Sequence, residues 1–140
     1  MIATVMALLV AAPPPPMIIV DERNVVRQEP PPHGNIGMST AYRISDSIPG
    51  RSFEFRKRVL HPGAAIGQHP IAHDEIYYVM SGRGEVSEGG RTAQLTPGMG
   101  AYLYSGSTVA IKQVGDQELT LLIVYPGQDH PQASPPTAGQ

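Results

Sequence analysis

Residues Pro62 to Gly84 read PGAAIGQHPIAHDEIYYVMSGRG. Two imidazoles (His69, His73) and two carboxylates (Asp74, Glu75) fall within seven residues of it, ahead of the β-branched and aromatic run Ile76-Tyr77-Tyr78-Val79 and a glycine-rich turn. Imidazole and carboxylate at this density form the donor set of a metal site. One straight strand cannot serve such a site with both ends. Six steps from His69 to Glu75 at about 3.3 Å each separate their Cα atoms by roughly 20 Å, whereas ligand bonds are about 2 Å long. The chain must bend between them, and Pro70, which donates no backbone hydrogen bond, marks the expected place. Beyond the bend, alternation puts His73, Glu75, Tyr77 and Val79 on one face, with Asp74, Ile76, Tyr78 and Met80 on the other. Both faces are largely apolar, so this strand is expected to be covered on both sides, the second by a partner subunit.

The flanking sequence has the same strand character. Ser52 to Leu60 alternates, with Phe53, Phe55 and Val59 on one face and Glu54, Arg56, Arg58 and Leu60 on the other. Arg56 or Arg58 can grip a substrate carboxylate through a bidentate fork, but an exposed charged edge that discourages aggregation is the weightier reading. After the central stretch come Glu85 to Ser87, a turn at Glu88-Gly89-Gly90-Arg91, then Thr92 to Leu95 and a second turn at Thr96-Pro97-Gly98. Ala101 to Tyr104 follows, then Ser105-Gly106-Ser107, Thr108 to Val114, and finally Leu119 to Tyr125, whose nearly continuous apolar run predicts a fully buried strand. Short strands with a turn signal at nearly every break predict an all-β sandwich or barrel.

The spacing of the central stretch resembles the first signature of the cupin family: Gly, five residues, His-x-His, three or four residues, Glu, six residues, Gly. Gly63, His69, Glu75 and Gly82 stand in that frame, while Ile71 occupies the second histidine position and His73 lies two residues beyond it. The family's second signature is preserved in the turn LTPGMG and in Gly106. Aligned on that glycine, Val109 stands where the third metal-binding histidine belongs, Tyr104 replaces a proline, and Gln113 replaces an asparagine. The resemblance covers roughly residues 50 to 125. It implies a single antiparallel β-barrel or jelly roll, a homodimer, and a small-molecule function.

Two readings of the site follow from the resemblance. If His69, His73 and Glu75 converge, two imidazoles and one carboxylate suit iron, manganese, nickel or zinc with open positions, and the protein is a metal-dependent enzyme of dioxygenase, isomerase or cyclase type. Alternatively the metal site has decayed, Ile71 and Val109 make the barrel drier, and the protein is a non-catalytic ligand-binding or sensory cupin. Without metal, a histidine beside a carboxylate still makes an acid/base pair. Ile71, Tyr77, Tyr102, Val109 and Gln113 are the expected pocket lining; core packing explains Tyr77, Tyr102 and Tyr104 as well.

Composition bounds the rest. The chain has 140 residues, ten Lys plus Arg against twelve Asp plus Glu, and no Cys, so thiolate ligands and disulfides are excluded. A formal net charge of −2 without a basic stripe argues against nucleic acid as a partner. Residues 1–16 read as a leader. MIATVMALLVAA resembles a short signal peptide, too short to span a bilayer, which favours a periplasmic or secreted protein. Translation from Met17 in the cytoplasm is the alternative, since no Lys or Arg precedes Arg23. Residues 17–37 read as an extended Pro-rich arm, with Met17 to Val20 as a candidate added strand and His33 as a surface-loop imidazole. Eleven of the fifteen prolines fall outside the central region, which marks the barrel as 38–126 and the Pro-rich tail as 127–140.

Overall fold

In the computed structural model, residues 5–127 are described; the first four leader residues and positions 128–140 of the expected tail lie outside the described residues. Ten antiparallel strands form two facing sheets. They are β1 (Val26–Glu29), β2 (Ser39–Tyr42), β3 (Phe53–Leu60), β4 (Ala65–Pro70), β5 (Glu75–Ser81), β6 (Arg83–Glu88), β7 (Arg91–Leu95), β8 (Gly100–Leu103), β9 (Thr108–Val114) and β10 (Leu119–Pro126). The larger sheet has the order β1-β2-β3-β10-β5-β8, the smaller β4-β9-β6-β7. The all-β architecture expected from the strand spacing, and the jelly roll implied by the resemblance, are what is observed. Among the described residues the only helical element is a single 3₁₀ turn, Glu22–Asn24, capped by the Asp21 carboxylate.

The core lies between the sheets. Leu60, Val79, Val109, Ile111, Leu119 and Leu121 are wholly buried in it. They come from strands of both sheets at alternate positions, as side chains on two facing pleated surfaces must. The bend inferred between His69 and Glu75 is the crossing from one sheet to the other: β4 ends at Pro70 in the smaller sheet and β5 begins at Glu75 in the larger. Gly82, which closes the first signature, has φ +77°, and a Cβ there would overlap the carbonyl oxygen of Glu118. Only glycine fits that turn.

Three expectations are corrected. The arm adds its strand at Val26–Glu29, not at Met17 to Val20, because β1 already occupies the outer edge of β2; Met17 and Ile19 stay exposed. The charged face of β3 points inward. Glu54 and Arg58 are 4% and 5% exposed while Phe53 is 66% exposed, and β3 is no edge, being paired with β2 on one side and β10 on the other. Alternation had sorted the residues of β3 correctly, but hydrophobicity pointed to the wrong face. The outward face of β5 is open within the chain, with Ile76, Tyr78 and Met80 partly exposed, which leaves the expected cover by a partner subunit untouched and is no correction of it. β10 buries Leu119, Leu121 and Ile123, while Leu122 and Val124 on its other face are only half-buried.

Gln113 also takes a different role. It is buried, accepts a hydrogen bond from Gly63 N–H at 2.9 Å, and donates at 2.7 Å to the carbonyls of both Gly115 and Gln117. It ties the turn before β4 to the turn after β9 and does not line the cavity. Replacing it by Leu orphans one donor and two acceptors. Gln113→Leu is expected to cost about 2 to 3 kcal/mol and to lower the melting temperature by roughly 10 °C, read by thermal denaturation.

Candidate functional site

A cavity of about 660 Å³ lies between β4 on one side and β3, β5 and β10 on the other, with Pro30 to His33 of the arm along it. Its floor is apolar, from Ile66, Ile71, Tyr77 and Ile123. Its polar groups fall into two sets. One set is His33, His69, His73 and Glu75; the other is Glu29 with Arg43, Arg56 and Arg58.

The first set is held by the sheet crossing. Residues 71–74 are fastened at both ends to the β8–β9 turn: Ile71 N–H donates to Ser107 O at 3.0 Å, Gly106 N–H to Ile71 O at 2.8 Å. The Asp74 carboxylate accepts from the Tyr102 hydroxyl at 2.5 Å and from Ser105 N–H at 2.9 Å. Asp74 is thereby spent on the loop, and its pKa is lowered chiefly by the Tyr102 bond. Glu75, the first residue of β5, points inward beside His73, with Nε2 to Oε2 at 4.0 Å. That separation exceeds a hydrogen bond, so both groups can engage one ligand atom placed between them. The His73 ring stacks on Tyr125, centroids 4.8 Å apart.

His69 makes its own contacts beside this pair. Its Nδ1 bonds the carbonyl of Gly67 at 2.7 Å, and its face lies on His33, centroids 3.7 Å apart and planes within 4°. His33 is therefore an exposed loop imidazole that also lines the cavity. It belongs to a left-handed segment, with φ of 63° at His33 and 52° at Asn35, and its carbonyl sits over Gly67, where any Cβ would overlap it. A glycine in β4 lets the arm cross that strand.

The residues present do not fit the metal set of the resemblance. His69, His73 and Glu75 line one cavity, yet among the described residues no group of three or more His, Asp or Glu side chains could hold an ion. The two remaining positions of the family pattern, Ile71 and Val109, are buried among core side chains. Of the expected lining, Ile71 and Tyr77 face the cavity. Val109 lies in the core, and Tyr102 belongs to a shallower groove beside β7 and β8.

Arg43, Glu29 and Tyr125 escaped sequence reasoning. Their only signals are an unexplained arginine after β2 and a carboxylate beside a proline run, neither of which follows a pattern.

Electrostatics separate the two sets. Burial pushes the Glu75 carboxyl up to about 7. Burial also lowers His73, with Asp74 opposing and His69 adding to it, and lowers His33, where the His69 ring contributes. Near neutrality Glu75 is therefore close to its titration midpoint beside an imidazole whose proton is weakly held, which suits proton exchange with a ligand.

The chain was compared with known proteins. Residues 56–125 match the family model described as Cupin domain. An uncharacterized protein of Streptomyces coelicolor is 32% identical over 66 residues, which are 47% of this chain and 62% of that protein; the match thus spans less than two thirds of that relative. Among solved structures, a predicted oxalate decarboxylase of Thermotoga maritima superposes with a TM-score of 0.66 at 20% identity, over 78% of this chain and 98% of that one. A Cupin 2 conserved barrel domain protein of Salinispora arenicola gives 0.63 at 23%, over 83% and 92%. At these identities the two structures speak for the fold alone.

The raised carboxyl has a testable sign. Below about pH 4 Glu75 is protonated both folded and unfolded; as pH rises to about 7 the unfolded chain releases this proton and the folded chain keeps it, so stability falls through that window. Glu75→Gln does not titrate. It is expected to gain on the wild type by up to about 3 kcal/mol between pH 5 and pH 8 in denaturant unfolding, and an unchanged difference across that range contradicts a raised carboxyl.

Proposed function

The chain belongs to the cupin family, and we propose that within it this protein is a small-molecule-binding cupin that works through a proton-holding pair, Glu75 and His73, and not through the family's metal set. One observation carries this reading: a buried carboxyl beside a partly buried imidazole, 4.0 Å apart, on the wall of an open cavity with an apolar floor. Glu75 is placed to donate its proton to a ligand oxygen and His73 to accept one. Tyr77 and the isoleucines keep the site dry, which strengthens both interactions. The lack of a three-donor cluster among the described residues and the apolar residues at positions 71 and 109 favour this over the metal-dependent dioxygenase, isomerase or cyclase expected from the resemblance.

The outward face of β3, β10, β5 and β8 supports a homodimer. Phe53, Phe55, Ile76, Tyr78, Met80 and Tyr102 all leave more than a third of their surface exposed there, and a contiguous apolar face of this size is commonly covered by a partner. A second copy of the chain is the proposed cover. Among the described residues no helix is long and apolar enough to cross a membrane.

Two measurements test these readings. Elemental analysis of the full chain, purified without a polyhistidine tag, is expected to find far less than one ion per chain, with a melting temperature unmoved by chelator. One ion per chain, lost in both His69→Ala and His73→Ala, would restore the metalloenzyme. Sedimentation equilibrium is expected to give twice the 15.0 kDa chain mass, falling to the monomer mass in Phe55→Glu/Tyr78→Glu; a wild-type monomer sinks the dimer.

A further inference from the structure

The outward face of the larger sheet and the start of the arm are both apolar, and both lie open in the single chain. Register fixes what the face carries. Phe55, Val124, Ile76 and Tyr102 stand side by side across β3, β10, β5 and β8, and Lys57, Leu122, Tyr78 and Gly100 form the next row. Lys57 is the single charge in these two rows. It is already paired with Glu22 at 2.6 Å and lies 4.1 Å over the Tyr42 ring, so covering the rows buries no unpaired charge.

The Lys57 pair also fixes where the arm leaves the fold. It ties the 3₁₀ turn Glu22–Asn24 to this same outward face, and the chain just ahead of that turn reads Met17-Ile18-Ile19-Val20. Little of that segment is covered: Met17 and Ile19 are 85% and 84% exposed, and Ile18 49%. Pro13 to Pro16 before it keep the approach extended.

Area distinguishes the sheet face alone from the face with the arm. At about 200 Å² per large side chain, the exposed parts of Phe53, Phe55, Ile76, Tyr78, Met80 and Tyr102 offer roughly 600 Å². A stable interface buries about 800 Å² per partner. Met17, Ile18 and Ile19 add roughly 400 Å² on the same basis, which carries the total past that requirement.

We propose that the arms are exchanged in the dimer, Met17 to Val20 of each chain lying across the Phe55–Val124–Ile76 and Leu122–Tyr78 rows of the other. In an isologous contact the same face of both subunits meets. An arm that departs from that face therefore departs toward the partner. The proposal rests on the homodimer reading and adds the segment that completes the interface. The same arm continues through β1 into Pro30 to His33 along the cavity, so the exchange anchors the far end of a segment that borders the site.

The test uses the full chain in two forms. Ile19→Cys supplies the single thiol of a chain without cysteine, to which a benzophenone maleimide is attached before irradiation. Denaturing electrophoresis is expected to show a covalent dimer of twice 15.0 kDa, and peptide mapping to place the link on outward residues of β3, β10 or β5. Links to those strands confined to the monomer band mean that the arm folds back on its own sheet, and overturn the proposal, as does the absence of links to them. In sedimentation equilibrium, Ile18→Ser/Ile19→Ser, a change at exposed side chains, is expected to raise the dimer dissociation constant at least roughly a hundredfold. An unchanged constant overturns the exchange and leaves the dimer standing; a wild-type monomer overturns both.

Discussion

A buried cation must be paired, and in this chain that requirement falls on Arg58. It lies 5% exposed on the inner face of β3, donates to Ser39 Oγ at 2.8 Å and to Glu29 at 3.2 Å. Burial lowers its pKa and the neighbouring guanidiniums add to this, while Glu29 opposes them. Removing a buried charge's only carboxylate is far more costly than any exposed pair is worth. Glu29 therefore has to be there, and Glu29 ends β1. From that pairing follows the course of the arm: β1 lies against β2, Pro30 to Pro32 run along the cavity, and His33 comes to rest on His69. A polar interior on β3 thus decides where the N-terminal segment lies and what closes the site.

The fold was legible because it is written in local signals. Turn residues at Glu88 to Arg91 and at Thr96 to Gly98 delimit strands whose alternation sorts faces correctly, and the distance between His69 and Glu75 forces a sheet crossing. What alternation cannot say is which face is inside when one carries Phe53 and Phe55 and the other Glu54, Arg56 and Arg58. Ordinary hydrophobicity chooses the phenylalanines. The reverse holds because the inner charges are matched by carboxylates distant in sequence, Glu29 and Asp46, which no window on β3 contains. The candidate site was legible in the same proportion. His73, Glu75, Ile71 and Tyr77 lie on the patterned stretch and meet in the cavity, whereas Arg43 and His33 enter it from irregular segments. Gln113 kept the inward orientation expected of it but faces the opposite turn.

The family pattern and the site differ in an ordered way. The carboxylate position is retained with an inward orientation and a buried environment, while the positions held by Ile71 and Val109 have become part of the apolar core. Burial is what raises the Glu75 carboxyl there. On the proposed reading, a carboxylate that would serve an ion as an anion becomes a proton donor. The change of chemistry needs no change of backbone, since β4, β5 and β9 still present all the positions to one interior.

The passage of the arm over Gly67 separates the molecule into parts of unequal persistence. The barrel is held by eight-residue ladders such as β3 on β10, whereas the segment from Pro30 to Gly37 is held by the Ile36–Ala65 bridge, the imidazole stack and two residues in left-handed conformations. Its opening free energy is a small fraction of that of global unfolding. The residues that hold this wall of the cavity in place are thus largely different from those that form its floor.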